Sequence, residues 1–286
     1  VTIAPWLLPA AVSRPVALAY GGAIVLLGGL HAGDVSTNDI VRVDQARGRA
    51  VVVGALPLAV HDAGGAVLGG SAVVFAGGGP VTESAVQAWN GRRSAVIGAL
   101  PVARSDLQAV ALGGTDYVVG GFDGHKLVSS ILATSDGRTF RTVGGLIQPV
   151  RYPAVAALAG KIYVVGGALS TSEATLSGAQ SADVQRFDPA TGKTSVIGHL
   201  PRVLSHAMAL GLAGALYVFG GRTGPALSNE VWRIDASSGN VSRVGTMAQP
   251  ISDAGAVAIG GVGYLLGGEV IGPSVPLARV EIVRVR

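Results

Sequence analysis

Acidic and basic side chains recur at matching places in a chain that carries few of them. Only 13% of the 286 residues are Asp, Glu, Lys or Arg, so charges that repeat at equal spacing stand out. Seven residues before Gly21, Gly69, Gly113 and Gly260 stand Arg14, Asp62, Asp106 and Asp253. Nine before Gly113 and Gly160 stand Arg104 and Arg151, with His61 and His206 close to the same level. Carboxylates, guanidiniums and imidazoles gathered at one level would make a polar socket for a small ligand. Arg forks suit bidentate recognition of a carboxylate or phosphate, and Asp with His supplies an acid and a base. A structural alternative stands beside this: Asp at a join caps a turn, and an Arg next to it forms an ion pair.

The elements that would position these residues follow from a repeat. A short apolar run ending in a diglycine occurs six times, at Gly28-Gly29, Gly77-Gly78, Gly120-Gly121, Gly166-Gly167, Gly220-Gly221 and Gly267-Gly268. The period is roughly fifty residues, strand-like and without helical periodicity, as in a propeller whose unit is one four-stranded blade. A second marker keeps step. Leu8-Pro9, Leu56-Pro57, Leu100-Pro101 and Leu200-Pro201 precede the apolar runs, with Gln148-Pro149 and Gln249-Pro250 as degenerate copies. Gly113-Gly114, Ala159-Gly160 and Gly260-Gly261 fall where the first hairpin needs positive φ. The segments VDQARGR (Val43 to Arg49), FDPATGK (Phe187 to Lys193) and IDASSGN (Ile234 to Asn240) place Asp before and Gly after an outer reversal.

The expected fold is all-β, a six-bladed β-propeller of four-stranded antiparallel blades forming a single domain over 1–286. The last unit ends at ARVEIVRVR, its third strand, and Val1 to Pro9 aligns with Thr194 to Pro201, the fourth strand of another unit. The N-terminal strand is therefore expected to complete the last blade and close the ring, leaving no open sheet edge between first and last blades.

The diglycines, the Asp-Pro-Ala-Thr-Gly turn and the Leu-Pro-x-x-Arg join from Leu100 to Arg104 together resemble the kelch repeat family along the whole chain. The aromatic pair usual after that family's dyad is mostly missing, with Trp89 and Trp232 as remnants. The resemblance implies a kelch-type ring. It also implies an enzymatic alternative, because kelch-type propellers include sialate mutarotases and copper oxidases of the galactose oxidase type. The oxidase's cofactor requires a Cys, and this chain has none. A mutarotase needs an acid, a base and an Arg for the substrate carboxylate, for which Arg104 or Arg151 with Asp62 and His206 are available.

Composition narrows the rest. Without Cys there is neither a disulfide nor thiolate chemistry. The net charge of +4 comes with scattered Arg residues and no basic stripe interleaved with aromatics, so no nucleic-acid partner is expected. The uncharged run Val16 to Leu30 is shorter than the roughly 20 residues of a spanning helix, so no membrane insertion is expected. The first residue is Val rather than Met, which fits a chain trimmed of a leader and an extracytoplasmic location. Loops after the dyads add His31, Asp34, Glu83, Asp123, His125, Lys126, Glu173, Arg222 and Glu269, and the longest insertion runs from Ala168 to Ala182. His31 and His125 lack diagnostic metal-ligand spacing, so neither metal nor cofactor is expected. The leading expectation is a non-enzymatic binding or sensor module, a monomeric ring whose channel-mouth loops meet a protein, a glycan or a small anionic ligand. A sialate-mutarotase-like anomerase is the alternative.

Overall fold

The apolar runs before the dyads become the second strands of six four-stranded antiparallel sheets set around one axis, a six-bladed β-propeller. The computed structural model describes residues 1–172, 175, 178–270 and 275–285. From the axis outward, blade 1 is Val16–Tyr20, Ala23–Leu27, Asp39–Asp44 and Arg49–Ala55. Blade 2 is Gly64–Leu68, Ser71–Gly78, Thr82–Trp89 and Ser94–Ala99. Blade 3 is Gln108–Leu112, Thr115–Val119, Ser130–Thr134 and Arg141–Gly145. Blade 4 is Ala154–Leu158, Lys161–Val165, Asp183–Asp188 and Lys193–His199. Blade 5 is Met208–Leu212, Ala215–Phe219, Glu230–Ile234 and Val241–Thr246. Blade 6 is Ser252–Ile259, Val262–Val270, Val275–Val283 and, as its outer strand, Thr2–Val12. No helix of the described residues is long and apolar enough to cross a membrane.

Burial explains the composition of each strand. A second strand is covered on both faces by neighbouring blades, so it reads as a continuous apolar run instead of alternating. Ala23–Leu27 and Ala215–Phe219 are buried at every position, whereas the outer strand Arg49–Ala55 is largely exposed. The core is split accordingly, with one buried cluster at each blade junction. The two aromatic remnants serve different junctions, Trp89 between blades 1 and 2 and Trp232 between blades 4 and 5.

The dyad is a clasp between blades. At Gly28 a Cβ would lie 2.4 Å from the carbonyl oxygen of Val60 in the next join, and at Gly29 one would lie 2.7 Å from that of Ser13. The approach lets the Gly29 N–H donate to the Val60 carbonyl at 2.8 Å, and Gly121, Gly167 and Gly221 repeat the bond to Val150, Leu204 and Ile251. Blade 2 corrects the expected register. Its positive-φ pair is Ala76-Gly77, at 58° and 117°, and Gly78 lies one residue beyond, bridged to His61. Alanine fills the first place there, so the visible Gly-Gly is displaced by one.

The ring closes as expected: Thr2 pairs with Ile282, Ile3 with Glu281, Leu7 with Arg279 and Val12 with Leu277, all antiparallel. This closure leaves a mark on the rim. The outer-strand glycines Gly98, Gly144 and Gly198 each lie against the carbonyl of an outer-turn glycine of the following blade, Gly137, Gly192 and Gly239. Gly245 of blade 5 has no such neighbour among the described residues. The third and fourth strands of blade 6 come from opposite ends of the sequence and share no turn, and a groove of about 650 Å³ opens there beside Tyr217, Phe219 and Val285.

Candidate functional site at one end of the channel

Inner strands pair only with second strands, so each presents an unpaired backbone edge to the axis, and those N–H and C=O groups need water. The resulting channel, about 400 Å³, is lined by residues such as Ala17, Val67, Ala111, Ala157 and Ala256, and among the described residues Gln108 is its one polar side chain. At one end it meets a polar constriction of about 50 Å³, lined by Arg14, Asp62, Asp106, Tyr152, His206 and Asp253.

These six residues are equivalent, one per blade, and all are left-handed, with φ of 56°, 50°, 58°, 52°, 55° and 58°. The conformation lets successive joins hydrogen-bond around the axis. The N–H of Asp106 donates to the Asp62 carbonyl, Tyr152 to Asp106, His206 to Tyr152, Asp253 to His206 and Arg14 to Asp253, at 2.7 to 3.1 Å. For L-residues with a Cβ this conformation costs roughly 1–2 kcal/mol each. Glycine would avoid the cost, and this chain has 44 glycines, yet none is used at these positions. Strained backbone retained at a cluster of polar side chains is a pointer to function.

The side chains form two groups. On blades 5, 6, 1 and 2, Arg222 pairs with Glu269 and lies 3.7 Å from Asp253. Arg14 reaches Glu269 at 3.5 Å and Asp62 at 2.9 Å. On blades 3 and 4, Arg151 Nε lies 2.6 Å from Asp106 Oδ2, its Nη2 donates to the Tyr152 hydroxyl at 3.0 Å, and its guanidinium covers the Phe122 and Tyr152 rings. Tyr152 stacks on His206 with ring centroids 3.9 Å apart, which joins the groups. Burial raises the Glu269 carboxyl to about 7, with the Asp253 charge adding to it. Burial also raises Asp253, against the pull of Arg14 and Arg222. Burial first, then Arg222, Arg14 and Arg151, hold His206 well below its usual value, so it is neutral. Among the described residues, Arg14, Arg151 and Arg222 thus face the carboxyl groups of Asp62, Asp106, Asp253 and Glu269, and burial favours the protonated forms of Asp253 and Glu269.

The residues named from the sequence do not all meet. Arg14, Asp62, Asp106, His206 and Asp253 line the constriction. His61 and Arg151 lie one residue earlier, at the position held by Ser13, Ser105 and Ser205 in other blades, and both reach the ring from there: His61 Nε2 is 3.8 Å from Asp62. Arg104 lies elsewhere. It occupies the place of Val60, Val150, Leu204 and Ile251 in the blade junctions, where its guanidinium donates to the Gly120 and Ser130 carbonyls and the Ser130 hydroxyl. Burial lowers its pKa to about 10. Its grouping with Arg151 came from counting from Gly160, whereas the positive-φ turn of blade 4 begins at Ala159. Counting from Ala159 reaches Tyr152, which the sequence reading missed together with Gln108.

Of the loop candidates, Arg222 and Glu269 join the site. His31 is engaged by the Ala11 carbonyl at 2.8 Å and lies 3.6 Å from Asp39, while Asp123 accepts from the His125 and Lys126 backbones. Among the described residues no group of three His, Asp or Glu side chains is placed to hold a metal ion. Glu173, in the long insertion, lies outside the described residues.

No protein-family model matches this chain, and no curated protein matches it in sequence. The solved structure of YjhT superposes on it with a TM-score of 0.82 over 98% of this chain and 96% of that one, at 13% sequence identity. The likeness is one of fold. It extends around all six blades.

Proposed function

We propose that this propeller is a kelch-type binding or sensor module that holds a small, hydroxyl-rich ligand of the glycan class at the channel mouth. One observation carries the reading: six left-handed join positions, which glycine would fill without strain, hold Arg14, Asp62, Asp106, Tyr152, His206 and Asp253. Ion pairing at the mouth selects among the ligand classes. An anion would find each guanidinium already engaged by a carboxylate, whereas neutral hydroxyls can donate to the carboxylates and accept from the imidazole and guanidinium N–H groups. The clasp at each dyad and the Asp-to-Gly outer turns support the kelch-type assignment.

A second reading, an anomerase of the sialate-mutarotase type, is favoured by one feature. A carboxyl pair that keeps a proton near neutrality beside a neutral imidazole offers both an acid and a base. Arg151, Asp62 and His206 remain available for it, and Arg104 does not.

Thermal-shift measurements with glucose, N-acetylneuraminic acid and inorganic phosphate test both. A ligand binding only the folded state adds about 2.7 kcal/mol of stability at a hundredfold excess over its Kd. Stabilisation by a neutral sugar, lost in Asp62→Asn, is expected. Stabilisation by phosphate alone would overturn the glycan reading. Accelerated exchange between sugar anomers in NMR spectra would select the enzyme.

A further inference from the structure

The side chain of Gln180, at the end of the blade 4 insertion, lies against the join of blade 5. Gln180, Ser205 and His206 are all more than nine-tenths buried, and three hydrogen bonds of 2.8 Å link them to one another and to the backbone of Gly224. The polarity of this chain of bonds is dictated at its far end. The Gly224 N–H can only donate, so the Gln180 oxygen accepts from it and the other end of that amide is the NH₂ group. That group donates to Ser205 Oγ. Ser205 then has a single hydroxyl proton, and the one other partner of its oxygen among the described residues is His206 Nδ1. Nδ1 therefore accepts, and the proton of the neutral imidazole sits on Nε2.

We propose that Gln180 and Ser205 are positioning residues that lock His206 as the Nε2–H donor of the channel mouth, presented to an acceptor oxygen of the ligand. His206 lines the constriction, and no group among the described residues accepts a hydrogen bond from its Nε2. The ring cannot tilt freely, because Tyr152 stacks on one face at 3.9 Å. The ligand assignment rests on the glycan reading above; the tautomer does not. On that reading, the hydroxyl or carbonyl oxygen met by Nε2 is an acceptor, and an ammonium at the same place is rejected.

The test is nitrogen-15 NMR of the imidazole side chains in the whole protein at pH 8, with His206 assigned through its loss in His206→Gln. The wild type is expected to show the Nε2–H tautomer. In Gln180→Glu a carboxylate accepts from both the Gly224 N–H and the Ser205 hydroxyl. Ser205 Oγ must then accept from His206, and the tautomer is expected to change to Nδ1–H. Ser205→Ala removes the relay, so both tautomers become populated, and affinity for any sugar that stabilises the wild type falls on the order of tenfold. An Nδ1–H tautomer in the wild type, or one unmoved by both substitutions, would overturn the proposal. A wild type locked as Nε2–H that binds no sugar would instead overturn the glycan reading and leave the lock standing.

Discussion

The two ends of the inner strands make the same conformational demand and meet it with different residues. Where each inner strand turns back into the second strand, both turn residues have positive φ, and the chain uses Gly21-Gly22, Gly69-Gly70, Gly113-Gly114 and Gly260-Gly261, with Ala159-Gly160 and Ala213-Gly214 as the variants. Where each join enters the inner strand, the same left-handed geometry falls on Arg, Asp, Asp, Tyr, His and Asp. Glycine is thus available to this sequence for the purpose and is withheld at one end only. The hairpin end needs only a backbone shape. The mouth end keeps side chains in spite of the shape, which separates a structural turn from a site.

The largest test of that contrast is Asp106→Asn, which preserves volume and tolerance of left-handed φ while removing the charge that faces buried Arg151. Breaking this buried ion pair should lower stability by about 3 kcal/mol in urea titrations. A loss below 1 kcal/mol would mean that the mouth residues serve only as turn formers.

Titration comes next. Glu269 is raised to about 7 in the folded state from an unfolded value of 4.5. The folded protein therefore binds more protons between these values, and stability falls as pH rises through that window. Glu269→Gln should flatten this dependence, worth roughly 2 kcal/mol after allowance for coupling to Asp253. A hairpin variant such as Gly22→Ala should leave the slope unchanged.

Gly22→Ala itself should cost about 1 kcal/mol through φ alone, because nothing lies within 4 Å of the added methyl. The smallest change is Ala213→Gly, at φ 46°, expected to raise stability by less than about 1 kcal/mol. If Ala213→Gly destabilises, the hairpin end also depends on its side chains and the contrast fails.

How much of this was legible in the sequence depended on whether glycine reported the geometry. The ring, the blade count and the closing strand were readable because dyads and Leu-Pro joins repeat together. Register slipped where alanine took a left-handed position: Ala76 displaced the apparent dyad of blade 2, and Ala159 displaced the count that should have reached Tyr152. Gln180 gave no signal, being one polar residue in a polar loop. Asp116 was invisible for another reason. It is the second residue of its strand in blade 3, where blades 1, 4 and 5 have Ile24, Ile162 and Leu216, and its carboxyl is raised to about 7 by burial that only the packed ring creates.

The seam between Thr2 and Ile282 also sets the order of events in folding. Each of blades 1 to 5 is built from one continuous stretch of sequence, whereas blade 6 waits for segments almost the whole sequence apart to meet. Closing so long a loop costs entropy before any contact repays it. Ring closure is therefore expected to be the slow, final step, with blade 1 meeting blade 6 only once Val275–Val283 has been synthesised. Under mechanical load the outer strand Thr2–Val12, held to its sheet by one ladder and no turn, is where the ring begins to peel.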